Sequence, residues 1–228
     1  MSGVPALGLL CRPPRVARTR LEPIIGEERA LDLARVFLQD SVALCREVAW
    51  RASGRFKVFH TPAAGAAEVA ELVPGADLVP LTQEDQCLRR ELAAAHLFAE
   101  GAGEVVLLDY DTPTLPPALI ELLFDALRSG ADAACIPSLD GGVCAIGLAR
   151  PLPVLFRGMP WNTPELLGAI RAKARAEGLD FRELQFWHDV DHADDLKLLQ
   201  AGLDGLAPPH CSPLPPFAAT ATRRLLGG

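Results

Sequence analysis

Asp109-Tyr110-Asp111 closes an apolar run, Val105 to Leu108, and is followed by Thr112-Pro113-Thr114-Leu115-Pro116-Pro117. Two carboxylates one residue apart on extended chain fall on the same side of the backbone. Hard divalent cations take such oxygens, and Mg²⁺ commonly takes one or two carboxylates together with substrate phosphates. The prolines restrict the loop that leaves the pair. A strand end running into an acidic helix start explains the same residues without a ligand, so both readings stay open at this point.

Other segments carry comparable chemistry. Trp187-His188-Asp189-Val190-Asp191-His192 repeats the Asp-x-Asp spacing. Asp191 could instead cap the helix that follows, and the two histidines read as surface residues before ligands. Arg12, Arg15, Arg18 and Arg20 fall within residues 11–20 with no acid among them. Guanidinium forks match phosphate oxygens, so this is a candidate diphosphate clamp, and a solvated basic loop otherwise. The glycines of a Walker loop or a dinucleotide fingerprint are missing there. Asp140-Gly141-Gly142 is first a hairpin turn, and second a place where a substrate could approach the backbone. In Pro160-Trp161-Asn162-Thr163-Pro164, Thr163 reads as an N-cap and Pro164 as the first helical residue. Trp161 and Asn162 are left over, for core packing or for the rim of a cleft.

The elements that must position these groups alternate. Strands are expected at 6–11, 56–61, 105–109, 131–138, 142–149 and 181–187, with a weak one at 77–81. Helices are expected at 27–50, 66–72, 84–100, 116–130, 163–178 and 192–202, and a last turn at 219–226. This order predicts an α/β domain, a mainly parallel sheet covered on both faces. Ligands of such sheets bind beyond the carboxyl ends of the strands, where the Asp109/Asp111 pair, the arginine loop and the Asp189/Asp191 pair all fall. One domain over 1–205 is expected, with a proline-rich tail over 206–228 packed on it or on a neighbouring copy in a homo-oligomer.

The totals bound the function. The chain has 228 residues, a net charge of −7 and half its residues apolar, which affords a large core and argues against nucleic acid as partner. Its six cysteines are scattered, with neither zinc spacing nor need of a disulfide framework, and read as buried thiols of a cytoplasmic protein. No stretch reaches the length of a membrane span, and the first residues read as a strand rather than a signal peptide.

Taken in order, R-V-A-R-T-R-L at 15–21, D-T-P-T-L-P at 111–116, D-G-G-V-C-A-I-G-L at 140–148, P-W-N-T-P-E at 160–165 and D-V-D-H-A-D-D-L at 189–196 resemble the cofC-like glycosyltransferases, also called radical-SAM/selenodomain-associated transferases. The resemblance runs over roughly residues 6–200. It implies a single-domain, GT-A-like three-layer α/β/α sandwich of the nucleotide-diphospho-sugar transferase kind, using Mg²⁺ or Mn²⁺. Asp111 would be the metal aspartate, helped by Asp109, with Asp189 and Asp191 as the distal acidic pair. Arg18, Thr19 and Arg20 would lie near the nucleotide phosphates, with Arg15 beside them. Asp140 would serve as candidate base, Gly141 and Gly142 would line the acceptor or sugar side, and Trp161, Asn162 and Thr163 the rim. The substrates would be a nucleotide sugar and a small acceptor the sequence does not name.

The chain also departs from the family pattern. Leu10, Arg12, Arg15 and Arg18 stand where K-x-P-x-x-G-x-x-K is usual, Asp109 stands where the metal loop usually has Gly, and Glu84-Asp85-Gln86-Cys87-Leu88-Arg89 lacks both glycines of G-D-L-G-x-R. Val143 replaces the aromatic residue after the two glycines. Two further readings follow: a nucleotidyltransferase releasing pyrophosphate from a nucleoside triphosphate, and a degenerate homologue that only binds a nucleotide or a partner.

Overall fold

A computed structural model of the chain describes residues 3–17 and 20–227. Seven strands form one sheet: β1 (Val4–Cys11), β2 (Arg55–His60), β3 (Leu78–Pro80), β4 (Ala102–Asp109), β5 (Ala133–Pro137), β6 (Val143–Leu148) and β7 (Phe181–Glu183). Their order is β3-β2-β1-β4-β6-β5-β7. All neighbours are parallel except β6, which runs antiparallel to both β4 and β5. The helices are α1 (Glu22–Ile25), α2 (Glu27–Arg51), α3 (Ala66–Leu72), α4 (Gln86–Ala99), α5 (Pro117–Arg128), α6 (Leu166–Ala176), α7 (Asp195–Leu203) and α8 (Thr220–Leu226).

Strand alternation divides the core into two faces. Leu7 and Leu9 of β1 with Val106 and Leu108 of β4 pack against Leu38, Val42 and Cys45 of α2 and Leu119, Leu123 and Phe124 of α5. Ala6, Leu10, Val105 and Leu107 point the other way, to Ala93, Ala94 and Leu97 of α4 and Leu166, Ile170 and Ala174 of α6. The result is three layers, helices on both faces of a mostly parallel sheet. Each fully buried Leu or Phe contributes about 1.5–3 kcal/mol relative to exposure. A smaller cluster joins Leu33 and Phe37 of α2 to Val190, Leu199, Leu203 and Ala219, tying the end of the chain to the site side of α2.

The local rules explain most boundaries. α5 opens on Pro117, whose missing N–H costs nothing there, and the chain turns at Gly130 with φ 105° just beyond its end. Two expectations fail. The strand expected at 181–187 shrinks to Phe181–Glu183, because beyond it the chain makes one isolated bridge, Ser138 to Trp187, rather than a ladder. Helix α1 was not expected, since Pro23 obscures a four-residue turn that Gly26 (φ 87°) separates from α2.

α8 is held from a distance. Its Ala221 and Thr222 amides donate to the two carboxylate oxygens of Asp40, buried on α2, at 2.9 and 2.7 Å. Asp40 thereby does the work of an N-cap across 181 residues of sequence. Replacing Asp40 by Ala should cost about 1–3 kcal/mol, a charge-assisted cap being stronger than a neutral one. Thermal unfolding would read the loss, and hydrogen exchange should place it in α8, leaving the sheet amides protected.

Candidate functional site

Sheet register brings the site segments to one edge. Leu10 of β1 lies beside Asp109, the last residue of β4. Because β6 runs antiparallel, its start at Val143 lies at this same edge, opposite Pro137, and residues 138–142 form the hairpin turn between β5 and β6. The Ser138–Trp187 bridge then delivers residues 188–191 alongside. The sheet reverses here: from β1 the order runs to β2 on one side and to β4 on the other, the topological switch point where α/β sheets bind ligands.

Hydrogen bonds fix the side chains. Asp111 follows β4 in a turn, and its carbonyl accepts from the Val190 amide at 3.0 Å, which joins the two Asp-x-Asp segments. Ser138 Oγ donates to Asp189 Oδ1 at 2.8 Å. Arg20 lies 3.1 Å from Asp191 Oδ2 and donates to the Asn162 carbonyl at 3.1 Å, linking the first loop to the 160–163 loop. Asp140, exposed in the turn, accepts from the Gly142 amide through Oδ1 at 2.8 Å, an Asx turn.

Two adjoining cavities occupy this edge. The larger, about 250 Å³, lies between the apolar wall of α2 (Ala30, Leu33, Ala34, Phe37) and the charged groups Arg12, Arg20, Arg89, Arg90, Asp109, Asp111 and Asp191. The smaller, about 50 Å³, is bounded by Arg20, Asp111, Asp140, Gly142, Trp161, Asn162, Thr163, Asp189 and Asp191. Arg20, Arg90, Asp109, Asp111, Asn162 and Asp191 border both.

The acids repel one another. Burial, and then the charges of Asp109, Asp189 and Asp191, push the Asp111 carboxyl well above its ordinary value. Asp189 is pushed up to about 7, chiefly by burial and by Asp140, against the bond from Ser138. Asp191 is raised by burial, with Arg20 opposing. Among the described residues no three His, Cys, Asp or Glu side chains already form a metal cage.

The expected site residues distribute as follows. Asp109, Asp111, Asp140, Gly142, Trp161, Asn162, Thr163, Asp189, Asp191 and Arg20 border the cleft. Arg18 and Thr19 lie outside the described residues. Arg15 is exposed, lines neither cavity, and lies 3.9 Å from Glu68 on α3. Gly141 packs on the chain before α6. With φ 93°, a Cβ there would stand 2.3 Å from the Pro164 carbonyl oxygen, so backbone packing already demands a glycine. Thr163 is not a helix cap. Its hydroxyl donates to the Pro160 carbonyl at 3.0 Å, and α6 starts three residues later. Asp191 is not a cap either: Asp195 on α7 accepts from the amides of Asp191 and His192 at 3.0 and 2.7 Å, leaving Asp191 for Arg20.

Asp109 and Asp111 share the cleft as their spacing predicts, but Asp109 is committed to an ion pair with the buried Arg90. Arg90 lies 4.0 Å from the centre of the Trp161 ring, so Trp161 serves a charged neighbour as well as the core. Sequence reasoning missed Arg89 and Arg90 as site residues. The signal was present: two cations in the second turn of a helix, where the dipole disfavours them, need another reason to be there.

The three-layer architecture recurs among solved structures. It matches, with a TM-score of 0.81 and 24% identity over 98% of this chain and 94% of the other, a Desulfovibrio desulfuricans G20 protein provisionally named a nucleotide-diphospho-sugar transferase. The chain belongs to the DUF2064 family, described as an uncharacterized protein conserved in bacteria, whose model matches residues 44–163. More distant matches are Rv0371c of Mycobacterium tuberculosis H37Rv, crystallised in complex with manganese (TM-score 0.54, 19% identity, 87% of this chain and 98% of that one), and a CMP:2-keto-3-deoxy-manno-octonic acid synthetase complexed with CTP (0.52, 14%, 88% and 98%). At these identities the likeness defines the fold. No curated protein matches the chain, and no described helix is long and apolar enough to cross a membrane.

Proposed function

We propose that this chain is a divalent-cation-dependent transferase that acts on a nucleotide-diphospho-sugar donor. The observation that carries the reading is the convergence of Asp111, Asp189 and Asp191 with Arg20 in one cleft, the first two carboxyls held above their ordinary range by burial and mutual repulsion. A cation relieves that repulsion and a neutral ligand does not. The donor set is all oxygen, which suits Mg²⁺ or Mn²⁺, and its incompleteness suits an ion whose remaining ligands are water and substrate phosphate. Asp111 with Asp189 and Asp191 would hold the ion. Asp109 contributes least, being already paired with Arg90.

When bound, the cation neutralises the diphosphate as leaving-group charge develops. Arg20 adds fixed positive charge at the same place, pre-oriented by Asp191 and the Asn162 carbonyl. The acceptor hydroxyl enters beside Asp140, which borders the smaller cavity and whose carboxylate takes the proton as the oxygen attacks the sugar carbon and the nucleoside diphosphate leaves. Trp161, Asn162 and Gly142 bound the acceptor side.

A second reading, nucleotidyl transfer with release of pyrophosphate, uses the same acids and Arg20 and is favoured by the likeness to the CTP-bound synthetase. A third, a degenerate homologue, draws on the Arg90–Asp109 pair standing where a glycine would leave room. Calorimetric titration of nucleoside di- and triphosphates and nucleotide sugars, with Mn²⁺ or with EDTA, separates the three. The expected result is binding of one nucleotide sugar with Mn²⁺ and none with EDTA. Pyrophosphate release on adding a triphosphate and an acceptor would select the second reading, and failure of every nucleotide to bind would select the third.

A further inference from the structure

We propose that Arg12, Arg89 and Arg90 form an anion subsite on the α4 side of the larger cavity, one that takes a phosphate group carried by a substrate and adjoins the Asp111–Arg20 centre that borders the same cavity. The transferase reading is needed only to say what carries that phosphate. The subsite rests on its own observations.

Arg89 and Arg90 are 4% and 5% exposed, and buried guanidinium groups are ordinarily matched by acids. Arg12 has Glu84 and Arg90 has Asp109. Arg89 bonds only to the neutral amide oxygen of Gln86, and its Nε, like that of Arg12, is buried without a hydrogen-bond partner among the described residues. Of the three arginines, Arg89 is the one without a carboxylate partner among the described residues. Burial, and then the charges of Arg90 and Arg12 against that of Asp109, hold its guanidinium below its ordinary value. Arg90 is kept in place by Trp161 beneath it and by Gln86 at 2.7 Å. All three arginines line the same cavity, at the N-terminal end of the 14-residue α4, whose dipole adds to the field. An incoming phosphate would take the orphaned Arg89 donor outright and compete with Asp109 for Arg90.

The test titrates inorganic phosphate into the full chain in EDTA, by calorimetry, so that no metal site contributes. Wild type should bind saturably, Arg89→Gln should weaken binding at least about tenfold, and Arg89→Lys should recover part of it. Arg20→Gln should weaken it less than Arg89→Gln does, because Arg20, which borders the same cavity, already has Asp191 as its partner. Asp109→Asn should tighten binding by freeing Arg90, a gain that loss of folding cannot imitate. This variant decides the question if Arg89→Gln does not fold. A diphosphate and a triphosphate of one nucleoside then locate the source. Weakening by Arg89→Gln of the triphosphate alone assigns the group to the terminal phosphate. Phosphate binding that persists beside a bound diphosphate assigns it to a phosphorylated acceptor. The proposal is overturned if neither wild type nor Asp109→Asn binds phosphate, or if Arg20→Gln rather than Arg89→Gln abolishes binding. Failure of metal-dependent nucleotide binding alone would count against the transferase reading and leave these results standing.

Discussion

Replacing Asp111 by Asn should abolish metal-dependent nucleotide binding and, in the same protein without metal, raise the melting temperature at neutral pH. The two effects have one cause. Asp111 is held among Asp109, Asp189 and Asp191 at the edge of the sheet, and its carboxyl is raised well above its ordinary value by burial and by those charges. In the unfolded chain at pH 7 the same group is ionised and solvated, so folding must either protonate it or keep the repulsion. Asn keeps the shape and the backbone bond from Val190 to residue 111, while removing that cost. A gain of about 1–3 kcal/mol is expected, or roughly 2–4 °C per kcal/mol for a chain of this size. It should vanish below about pH 3, where the carboxyl is protonated in both states. With Mn²⁺ and nucleotide present the order reverses: wild type gains stability by linkage and the variant does not. Nucleotide affinity should fall by about 100-fold or more, since an amide offers one neutral oxygen where the cation takes an anionic one. A variant that binds as well as wild type would remove Asp111 from the metal site. One that melts lower would show that the carboxylate is satisfied by its surroundings.

A candidate metal ligand whose burial costs its own fold is also where sequence reasoning had most to work with. The two carboxylates after a buried strand are locally unfavourable, and that conflict drew attention to Asp109 and Asp111 before any fold was known. The helices were legible because each has an apolar face at helical spacing, as Leu33, Phe37, Leu44 and Val48 of α2 show. Contacts between residues far apart in sequence were not legible. Nothing local says that Arg90 on α4 would take Asp109, or that Asp40 would cap α8. Each pair is settled by which strands become neighbours. Thr163 and Asp191 both looked like helix caps because residue type fits that role. Tertiary partners, the Pro160 carbonyl and Arg20, took them instead. The short β7 was overread for a similar reason. The extended chain from Leu184 to Val190 has strand composition, but it meets β5 only at single points before it turns into the site.

The acidic cluster should also set a pH dependence of sign opposite to the usual one for carboxylates. Asp189 carries a carboxyl raised from about 3.8 to about 7 in the folded protein. Between these values the folded state holds a proton that the unfolded state has lost, so the contribution to stability is fully present below about pH 4 and is lost as the pH rises through 7. Exposed acids such as Asp180 and Asp194 act in reverse: their carboxyls are held low by Arg182 and Lys197, and their smaller contribution is lost as the pH falls. The difference between wild type and Asp189→Asn isolates the buried group, because the amide oxygen still accepts the bond from Ser138. Melting temperatures of the two should coincide near pH 4 and separate above pH 5, Asp189→Asn reaching an advantage of roughly 2–4 kcal/mol near pH 8. Mn²⁺ should act on the same group with the opposite slope. Metal binds the ionised form and must displace the proton, so its stabilisation of wild type should grow across pH 5 to 8 and be nearly absent in the variant. Metal stabilisation that is flat with pH, or unchanged by Asp189→Asn, would remove this side chain from the ion's ligands. A wild type that gains stability over the variant as pH rises would mean that Asp189 is ionised at ordinary pH, its charge met by the Ser138 hydroxyl rather than waiting for a cation.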